Sequence, residues 1–170
     1  MAFAVVTAIA LVTFSPWFFY GKVLAPLDII DEMYLPWRGE QSKPVVHNHF
    51  VTDTVLQYIP YRMLAKQALE QDGYIGWNPL VFGGSAQHAN TMLISQDWSV
   101  LIHQFLPFWS AWTLGRMGQF LFAGLGMLLF LSGRGCPPGV ALLGATAYLL
   151  NQQFVTWVYF NQIVASFCWL

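Results

Sequence analysis

Two long apolar runs constrain the fold of this chain more than any other feature of its sequence. Residues 1–20 read MAFAVVTAIALVTFSPWFFY, and residues 109–131 read WSAWTLGRMGQFLFAGLGMLLFL. Each run has about the 20 residues that an α-helix needs to cross the hydrocarbon core of a bilayer. The whole chain is 56% hydrophobic and 9% charged, well below the roughly 25% charged residues of an average soluble domain. The missing polar surface predicts an all-α integral membrane protein.

The N-terminal run has two interpretations, a retained first transmembrane helix at residues 1–20 and a cleaved signal peptide. The retained helix is favoured because no basic residue precedes the apolar stretch, and Ser15-Pro16-Trp17 stands where small residues would mark a cleavage site. Trp17 and Tyr20 are then expected at the membrane interface. Pro16 is expected to be tolerated because it falls near the end of the helix.

The rest of the apolar sequence predicts further membrane helices. In the second span, residues 109–131, Arg116 and Gln119 lie in the first turns, where they either snorkel or face protein. A third span is predicted at residues 139–150, and residues 151–170 are expected to hold an interfacial segment and the start of a fourth span. Small residues that allow close helix packing recur here: Gly124, Gly126, Gly144 and Ala147. The apolar pattern is cut off at the last residue, which predicts that the chain is the truncated N-terminal piece of a longer multi-span protein.

The turn at residues 132–138 sets the predicted orientation. Its only charged residue is Arg134, and cytoplasmic loops carry an excess of lysine and arginine. A cytoplasmic turn places the long segment 21–108 on the extracytoplasmic side. Loops of this length are uncommon and usually functional.

Short interfacial helices are predicted within this long loop. Asp53 is expected to cap a short helix that starts at Thr54, and Pro60 to break it and begin the next helix. One apolar face then follows helical spacing through Tyr61, Leu64, Ala65, Ala68 and Leu69. Arg62, Lys66 and Glu70 lie off that face, where they either meet lipid headgroups or form its wet side. Asp72-Gly73 is a typical stop.

Residues 76–98, GWNPLVFGGSAQHANTMLISQDW, have the composition of a binding cleft. Trp77 and Phe82 would supply aromatic platforms among neutral hydrogen-bonding side chains. Gly83-Gly84 would allow a close approach of the backbone. An ordinary compact loop uses the same turn residues, so both interpretations stay open.

The histidines do not predict a metal centre. His47-Asn48-His49 and Asp53 lie close in sequence, but their spacing matches neither a helical zinc motif nor a Cys-rich one. Hydrogen-bonding or solvated histidines are favoured. Asp28 and Asp31 are the weak candidates for a divalent cation, which the sequence does not require. The net charge of −1 without a basic run argues against nucleic acid as a partner.

Four motifs follow one another in a fixed order: an apolar span, PLDIIDEMYLPW, NHFVTDTVLQYIPYR and GWNPLVFGGSAQHAN, before spans joined by a Gly-rich turn. This order resembles the N-terminal part of the YfhO family of bacterial multi-span membrane proteins. Members typically show Asp-x-x-x-Gln-x-x-Pro-Trp, Pro-Leu-Trp-Asn-Pro and Phe-x-Gly-Thr-Pro-Leu-x-Ala-Asn. Here Tyr61 replaces the tryptophan and Ser85-Ala86-Gln87 replace Thr-Pro-Leu, whereas the motif positions Asp53 and Gln57 are kept.

The resemblance implies a GT-C-like multi-span helix bundle with a long helical extracytoplasmic first loop in the bacterial cytoplasmic membrane. Such an enzyme is expected to transfer a sugar, with inversion, from a polyprenyl-phosphate donor to a cell-envelope glycan or lipid acceptor at the outer face. The layout implies that Asp53 is the catalytic base. Residues expected to bind the substrate are Gln57, Arg62, Trp77, Asn78, Gly83, Gly84 and Asn90. Among these, Arg62 would stabilise the leaving phosphate.

Two other functions stay open from the sequence. The chain could belong to a transporter or flippase of lipid-linked sugars, in which the polar loop forms a substrate gate. It could also belong to a non-catalytic envelope assembly protein in which Asp53 only caps a helix.

Overall fold

Helices account for most of the described residues of the protein, which are 2–33, 48–73, 76–89, 99–160, Val164 and Ser166 in this computed structural model. The chain divides into two compact units. Unit 1 comprises Met1–Val23 and Asp97–Leu170, and unit 2 comprises Leu24–Gln96. The mainly helical fold confirms the predicted class at that level.

The helices and strands follow one another along the chain in a simple order. They are α1 (Ala2–Thr13), α2 (Ser15–Tyr20), α3 (Asp28–Met33), a 3₁₀ turn (His49–Val51), a π-helical turn (Thr54–Tyr58), α4 (Ile59–Asp72), β1 (Trp77–Asn78), β2 (Ser85–Ala86), a 3₁₀ turn (Gln87–Ala89), α5 (Ser99–Phe105), α6 (Phe108–Gly133), α7 (Pro138–Leu149), α8 (Gln152–Thr156) and a 3₁₀ turn (Trp157–Tyr159).

The N-terminal apolar run of unit 1 folds as two helices rather than one. Pro16 has no N–H to donate to the carbonyl of Val12, and its ring crowds that carbonyl. The chain turns more tightly at this point, where the N–H of Trp17 bonds to Phe14 O at 3.1 Å. The predicted single helix over residues 1–20 is therefore interrupted at Phe14, and Pro16 is not tolerated in the way the sequence suggested.

Helix α6 contains the whole of the predicted second span. Within the described ranges it is the one helix that is long and apolar enough to cross a membrane, and α1 is apolar but shorter. A short turn after Gly133 joins α6 to α7, and the two helices pack against each other. Such a short connection makes them antiparallel neighbours. Helix α7 coincides closely with the predicted third span.

Glycines set the closest helix approaches in unit 1. A Cβ atom at Gly124 of α6 would lie 2.6 Å from Leu149 Cδ1 and 2.9 Å from Val6 Cγ1. Those two side chains belong to α7 and α1, so all three helices meet at this position. A Cβ atom at Gly144 of α7 would lie 2.5 Å from Leu131 Cδ1 of α6. The predicted close packing is therefore present at Gly124 and Gly144.

Aromatic rings tie the remaining segments of unit 1 to α6. Phe14, at the break between α1 and α2, makes an edge contact with Phe120 at a centroid distance of 5.9 Å. Phe120 makes another edge contact, at 5.4 Å, with Phe154 of α8. Edge-to-face pairs of this kind add to the hydrophobic gain from burying the rings. Phe120 therefore anchors both ends of the unit's chain to one helix.

Substitution of Gly124 tests this packing. Gly124→Ala should lower the free energy of unfolding by about 1–3 kcal/mol, because its methyl group has to displace Leu149 and Val6. Gly126→Ala is the matched control, since within the described chain nothing beyond the helix's own backbone lies within 4 Å of that Cβ position. Alanine should there be neutral or stabilising by up to ~1 kcal/mol. Thermal unfolding of the purified variants followed by circular dichroism measures both, and equal unfolding temperatures would contradict the packing.

Candidate functional site

The helical segment that carries Asp53 begins at Asn48. The Asn48 Oδ1 atom accepts a hydrogen bond from the N–H of Phe50 at 3.0 Å, and the 3₁₀ turn His49–Val51 then leads directly into helical residues. Asp53 has helical φ and ψ values of −58° and −27°, and its side chain makes no capping hydrogen bond. The prediction that Asp53 caps this helix is therefore wrong. Asn48 takes that role because it precedes the first turn and offers its amide oxygen to the open N–H groups there.

Pro60 widens the helix instead of breaking it. Because proline has no N–H, the regular α-helical bond to the carbonyl of Leu56 cannot form. The N–H of Ile59 reaches back five residues to Thr54 O, which makes Thr54–Tyr58 a π-helical turn. Regular α-helical geometry resumes in α4, with Pro60 in its first turn. The helix ends at Gly73, as predicted, with a φ value of 68°.

The side of this segment that carries Asp53 is exposed and mainly apolar. Phe50 is 90% exposed, and Leu56 and Met63 are each nearly half exposed. Asp53 is exposed among them, and Gln57 lies half-buried four residues further along. The structure therefore places a solvent-accessible carboxylate on an apolar surface, with a neutral amide on the adjoining turn.

Arg62 lies on the opposite, buried side of the segment. It is 3% exposed, and it follows Val55, Tyr58 and Ile59 in one buried stripe. The sequence predicted that Arg62 lies on a wet or headgroup-facing side, and that prediction is wrong. The exposed end of α4 instead carries an ion pair between Lys66 Nζ and Glu70 Oε1 at 2.7 Å. Asp53 and Arg62 are thus not brought together on one face.

The hairpin formed by β1 and β2 places Trp77 and Asn78 on opposite sides. Trp77 pairs with Ala86 and Asn78 with Ser85, and neighbouring residues of a strand point to opposite faces. Asn78 is 1% exposed, and its Oδ1 accepts a hydrogen bond from Leu80 N at 2.9 Å. Asn78 therefore holds the turn, whereas the indole of Trp77 is mostly exposed.

The Trp77 indole packs against the backbone of Gly84. A Cβ atom at Gly84 would approach the indole to 2.4 Å, and the φ value there is 124°. Both facts require glycine at this position. Trp77 is 62% exposed, so much of its ring is open as an aromatic platform for a flat apolar or sugar surface.

The tip of the hairpin contains a strained turn at Phe82-Gly83. The N–H of Gly84 bonds to Val81 O at 2.8 Å, and the φ values of Phe82 and Gly83 are 53° and 73°. Positive φ at both central residues is the geometry of a type I′ turn, in which asparagine or glycine usually stands first. Phenylalanine at that position costs about 1–2 kcal/mol of backbone strain.

Asp28 and Asp31, the weak candidates for a divalent cation, belong to no cluster of metal ligands among the described residues. Asn90 and His47 lie outside the described residues. Asp28 is half-buried and Asp31 is exposed in α3. Among the described residues there is no group of three or more His, Cys, Asp or Glu side chains that could hold a metal ion.

Unit 1 contains a buried polar stripe whose extent the sequence analysis missed. Thr113, Arg116 and Gln119 of α6 are all nearly fully buried. The Arg116 guanidinium lies 4.3 Å above the centroid of the Trp112 ring. Their spacing of three residues within an apolar run is the signal that could have predicted one shared face.

Helix α5 contributes further polar groups to the same region. Ser99 and His103 are buried. Ser99 Cβ lies 3.2 Å from the position of a Cβ atom at Gly115, which places Ser99 beside the residue that precedes Arg116. The ring of His103 lies 5.2 Å from that of Phe108 at the start of α6. Ser99 and His103 are thus buried where α5 packs against the first half of α6.

A scan against models of protein families, a search of curated proteins and a search of solved structures found no match to this chain. The resemblance to the YfhO family therefore rests on the order and spacing of the sequence motifs, and it stays a prediction.

The two candidate caps can be separated by their effect on stability. Asn48→Ala should lower the free energy of unfolding by about 1 kcal/mol, because the N–H of Phe50 loses its acceptor. Asp53→Asn should leave it within about 0.5 kcal/mol of the wild-type value, because the carboxylate is exposed and makes no capping bond. Urea unfolding of the two variants measures the difference. A larger loss for Asp53→Asn than for Asn48→Ala would contradict this assignment.

The contact between Trp77 and Gly84 can be tested against its neighbour Gly83. Gly83→Ala should cost about 1–2 kcal/mol of stability, because only the positive φ value opposes it. Gly84→Ala should cost more, since the new methyl group also has to push the indole away. Chemical unfolding of the two variants, together with the shift in Trp77 exposure to a water-soluble quencher, measures both effects. Equal losses without a change in quenching would contradict the contact.

Proposed function

We propose that this chain is the N-terminal part of a membrane-embedded GT-C-like glycosyltransferase. It would transfer a sugar from a polyprenyl-phosphate donor to a glycan or lipid acceptor at the outer face of the bacterial cytoplasmic membrane. The observation that carries the proposal is the exposed Asp53 carboxylate on an apolar helical surface. The resemblance of the surrounding motifs to the YfhO family supports the same reaction.

The polarity of unit 1 supports a location in lipid. Helix α6 buries Thr113, Arg116 and Gln119, while Phe122 is 47% exposed and Leu129 is 57% exposed. A helix of a water-soluble protein is expected to show the opposite arrangement. Polar side chains that face protein while large apolar side chains face outward are typical of helices in a bilayer.

The chemistry requires one accessible carboxylate. An inverting transfer needs a base to take the proton of the acceptor hydroxyl as its oxygen attacks the anomeric carbon. The bond from that carbon to the phosphate oxygen breaks in the same step, and the phosphate leaves as an anion that needs no proton. Asp53 is free to act as this base because it makes no capping bond, and its apolar neighbours would accommodate a lipid-linked substrate.

The other predicted substrate residues divide into two groups under this proposal. Gln57 and Trp77 offer an amide and an open aromatic face for sugar hydroxyls and ring carbons. Gly83 and Gly84 shape the turn and the platform that hold Trp77. Asn78 acts through that turn. Arg62 is buried on the side of its helix opposite Asp53, so we assign no cation on the Asp53 face to the leaving phosphate.

A second candidate function is transport of a lipid-linked sugar without chemistry. The observation that favours it is the buried Arg116 on the candidate span, because ionisable side chains within spans often mark substrate pathways. The two functions differ in the role of Asp53. Transport should survive its neutralisation, whereas glycosyl transfer should not.

The catalytic role of Asp53 is tested by Asp53→Asn in the full-length protein. Transfer of labelled sugar from a panel of polyprenyl-phosphate hexoses in proteoliposomes should fall by about 10²–10⁴-fold, because the amide cannot accept the proton. Glu70→Gln is the matched control. It removes an exposed carboxylate from the same helical segment and a surface ion pair, and it should leave transfer unchanged.

Three results would contradict the proposal. Turnover of Asp53→Asn at the wild-type rate would exclude the carboxylate as the base. Loss of turnover in both variants would show that the assay reports the charge or fold of the segment rather than the base. Donor flipping that Asp53→Asn retains, with no sugar transfer by the wild type or by this variant, would favour the transporter.

A further inference from the structure

The hairpin tip, residues 79–83, presents large apolar side chains to the surroundings of unit 2. Phe82 is 99% exposed and Leu80 is 79% exposed. An isolated exposed apolar residue is ordinary, but two of them on one tight turn form a patch. Neither side chain contributes much to the packing of its own unit.

Phe82 also occupies a backbone position that opposes it. The first central position of this turn suits asparagine or glycine, and Phe82 holds a φ value of 53° there. A strained and fully exposed aromatic residue gains nothing from the fold around it. Strain of this kind is retained where the displayed side chain has a role, so the partner of Phe82 lies outside unit 2.

Hydrogen bonds fix the backbone of the hairpin below its tip. Asn78 Oδ1 accepts from Leu80 N at 2.9 Å, and Gly76 O accepts from Gln87 N at 2.9 Å. The first bond lies at the start of the turn, and the second joins the two ends of the hairpin beyond β1 and β2. The Gly84 N–H bond to Val81 O closes the tip. The tip is therefore presented in one arrangement, and little ordering is needed when it meets its partner.

The sequence around the tip points to lipid as that partner. Residues 73–96 contain no aspartate, glutamate, lysine or arginine, so no charged side chain of this segment opposes entry into an apolar phase. Leucine and phenylalanine partition into the acyl region, and a neighbouring tryptophan, here Trp77, prefers the level of the headgroups. The rim of an interface with another protein is polar, whereas residues 79–83 carry only apolar side chains.

We propose that the hairpin tip inserts into the boundary between the headgroups and acyl chains of a lipid bilayer. The inference rests on the proposed membrane location of the protein, and it adds a contact that holds the Trp77 platform at the lipid surface. Leu80 and Phe82 enter the acyl region, and the strained turn keeps both side chains directed away from the strands.

The test uses the full chain with both native cysteines replaced by serine and an environment-sensitive NBD dye on a single introduced cysteine. The dye is placed at Leu80→Cys or Phe82→Cys, with Glu70→Cys as the exposed control in the same unit. The labelled proteins are reconstituted into nanodiscs of phosphatidylcholine and phosphatidylglycerol that contain doxyl-labelled lipids. A dye at Leu129→Cys reports the outward face of α6 in the same preparation.

Insertion predicts a blue-shifted emission at positions 80 and 82, quenched most by doxyl groups about 5–10 Å below the headgroups. Iodide should quench the Glu70→Cys dye and leave those two unaffected. Quenching of the tip dyes by iodide would overturn the inference. Protection from both quenchers would also overturn it, because the tip would then be covered by protein.

The controls separate this inference from the proposed function. If doxyl-labelled lipids quench the Leu129→Cys dye but not the tip dyes, the insertion of the tip is rejected while the membrane location stands. A Leu129→Cys dye that lipid does not quench rejects the membrane location on which the inference rests.

Substitutions at Phe82 give an independent measurement. Phe82→Asn should abolish lipid quenching of the Leu80→Cys dye, while Phe82→Leu should retain most of it. The unfolding temperature of Phe82→Asn in detergent should be unchanged or raised, because asparagine accepts the turn geometry. Lipid quenching that persists at the wild-type level in Phe82→Asn would overturn the role given to Phe82.

Discussion

A permanently charged side chain buried on an apolar helix is the constraint on which the arrangement of unit 1 depends. Arg116 is 2% exposed, and its guanidinium is stacked on Trp112. A charge removed from water is costly unless other groups compensate it, and a desolvated cation–π contact contributes about 2 kcal/mol. Arg116 must therefore face the interior, and the same rotation of α6 turns Phe122 and Leu129 outward.

This inverted polarity links the fold to the proposed function. The proposed lipid location would give the outward apolar surface an apolar environment, and it would make a lipid-linked substrate the natural class for an exposed carboxylate between apolar side chains. Asp53 is suited to that role because Asn48 caps the helix in its place. The hairpin has the same property, because the apolar side chains of Phe82 and Trp77 are exposed there rather than packed.

Local signals predicted some elements well. The apolar run at 109–131 predicted α6, and helical periodicity with the Asp72-Gly73 stop predicted α4, because both depend on properties within one segment. Proline effects were harder to judge. Pro16 interrupts a helix and Pro60 widens one, and which occurs depends on the bonds that nearby N–H groups can find. The burial of Arg62 and the stacking of Trp77 on Gly84 depend on tertiary contacts, which single-segment spacing does not contain.

The proposed membrane location requires that α6 turns its polar residues to protein and its apolar residues to lipid. A nitroxide scan along residues 108–133 in lipid bilayers, with oxygen and a water-soluble nickel chelate as relaxing agents, tests it most directly. Helical periodicity is expected, with oxygen accessibility highest near Phe122 and Leu129 and lowest near Thr113 and Arg116. High accessibility of Phe122 and Leu129 to the nickel chelate, or oxygen maxima on the Thr113 face, would contradict this arrangement.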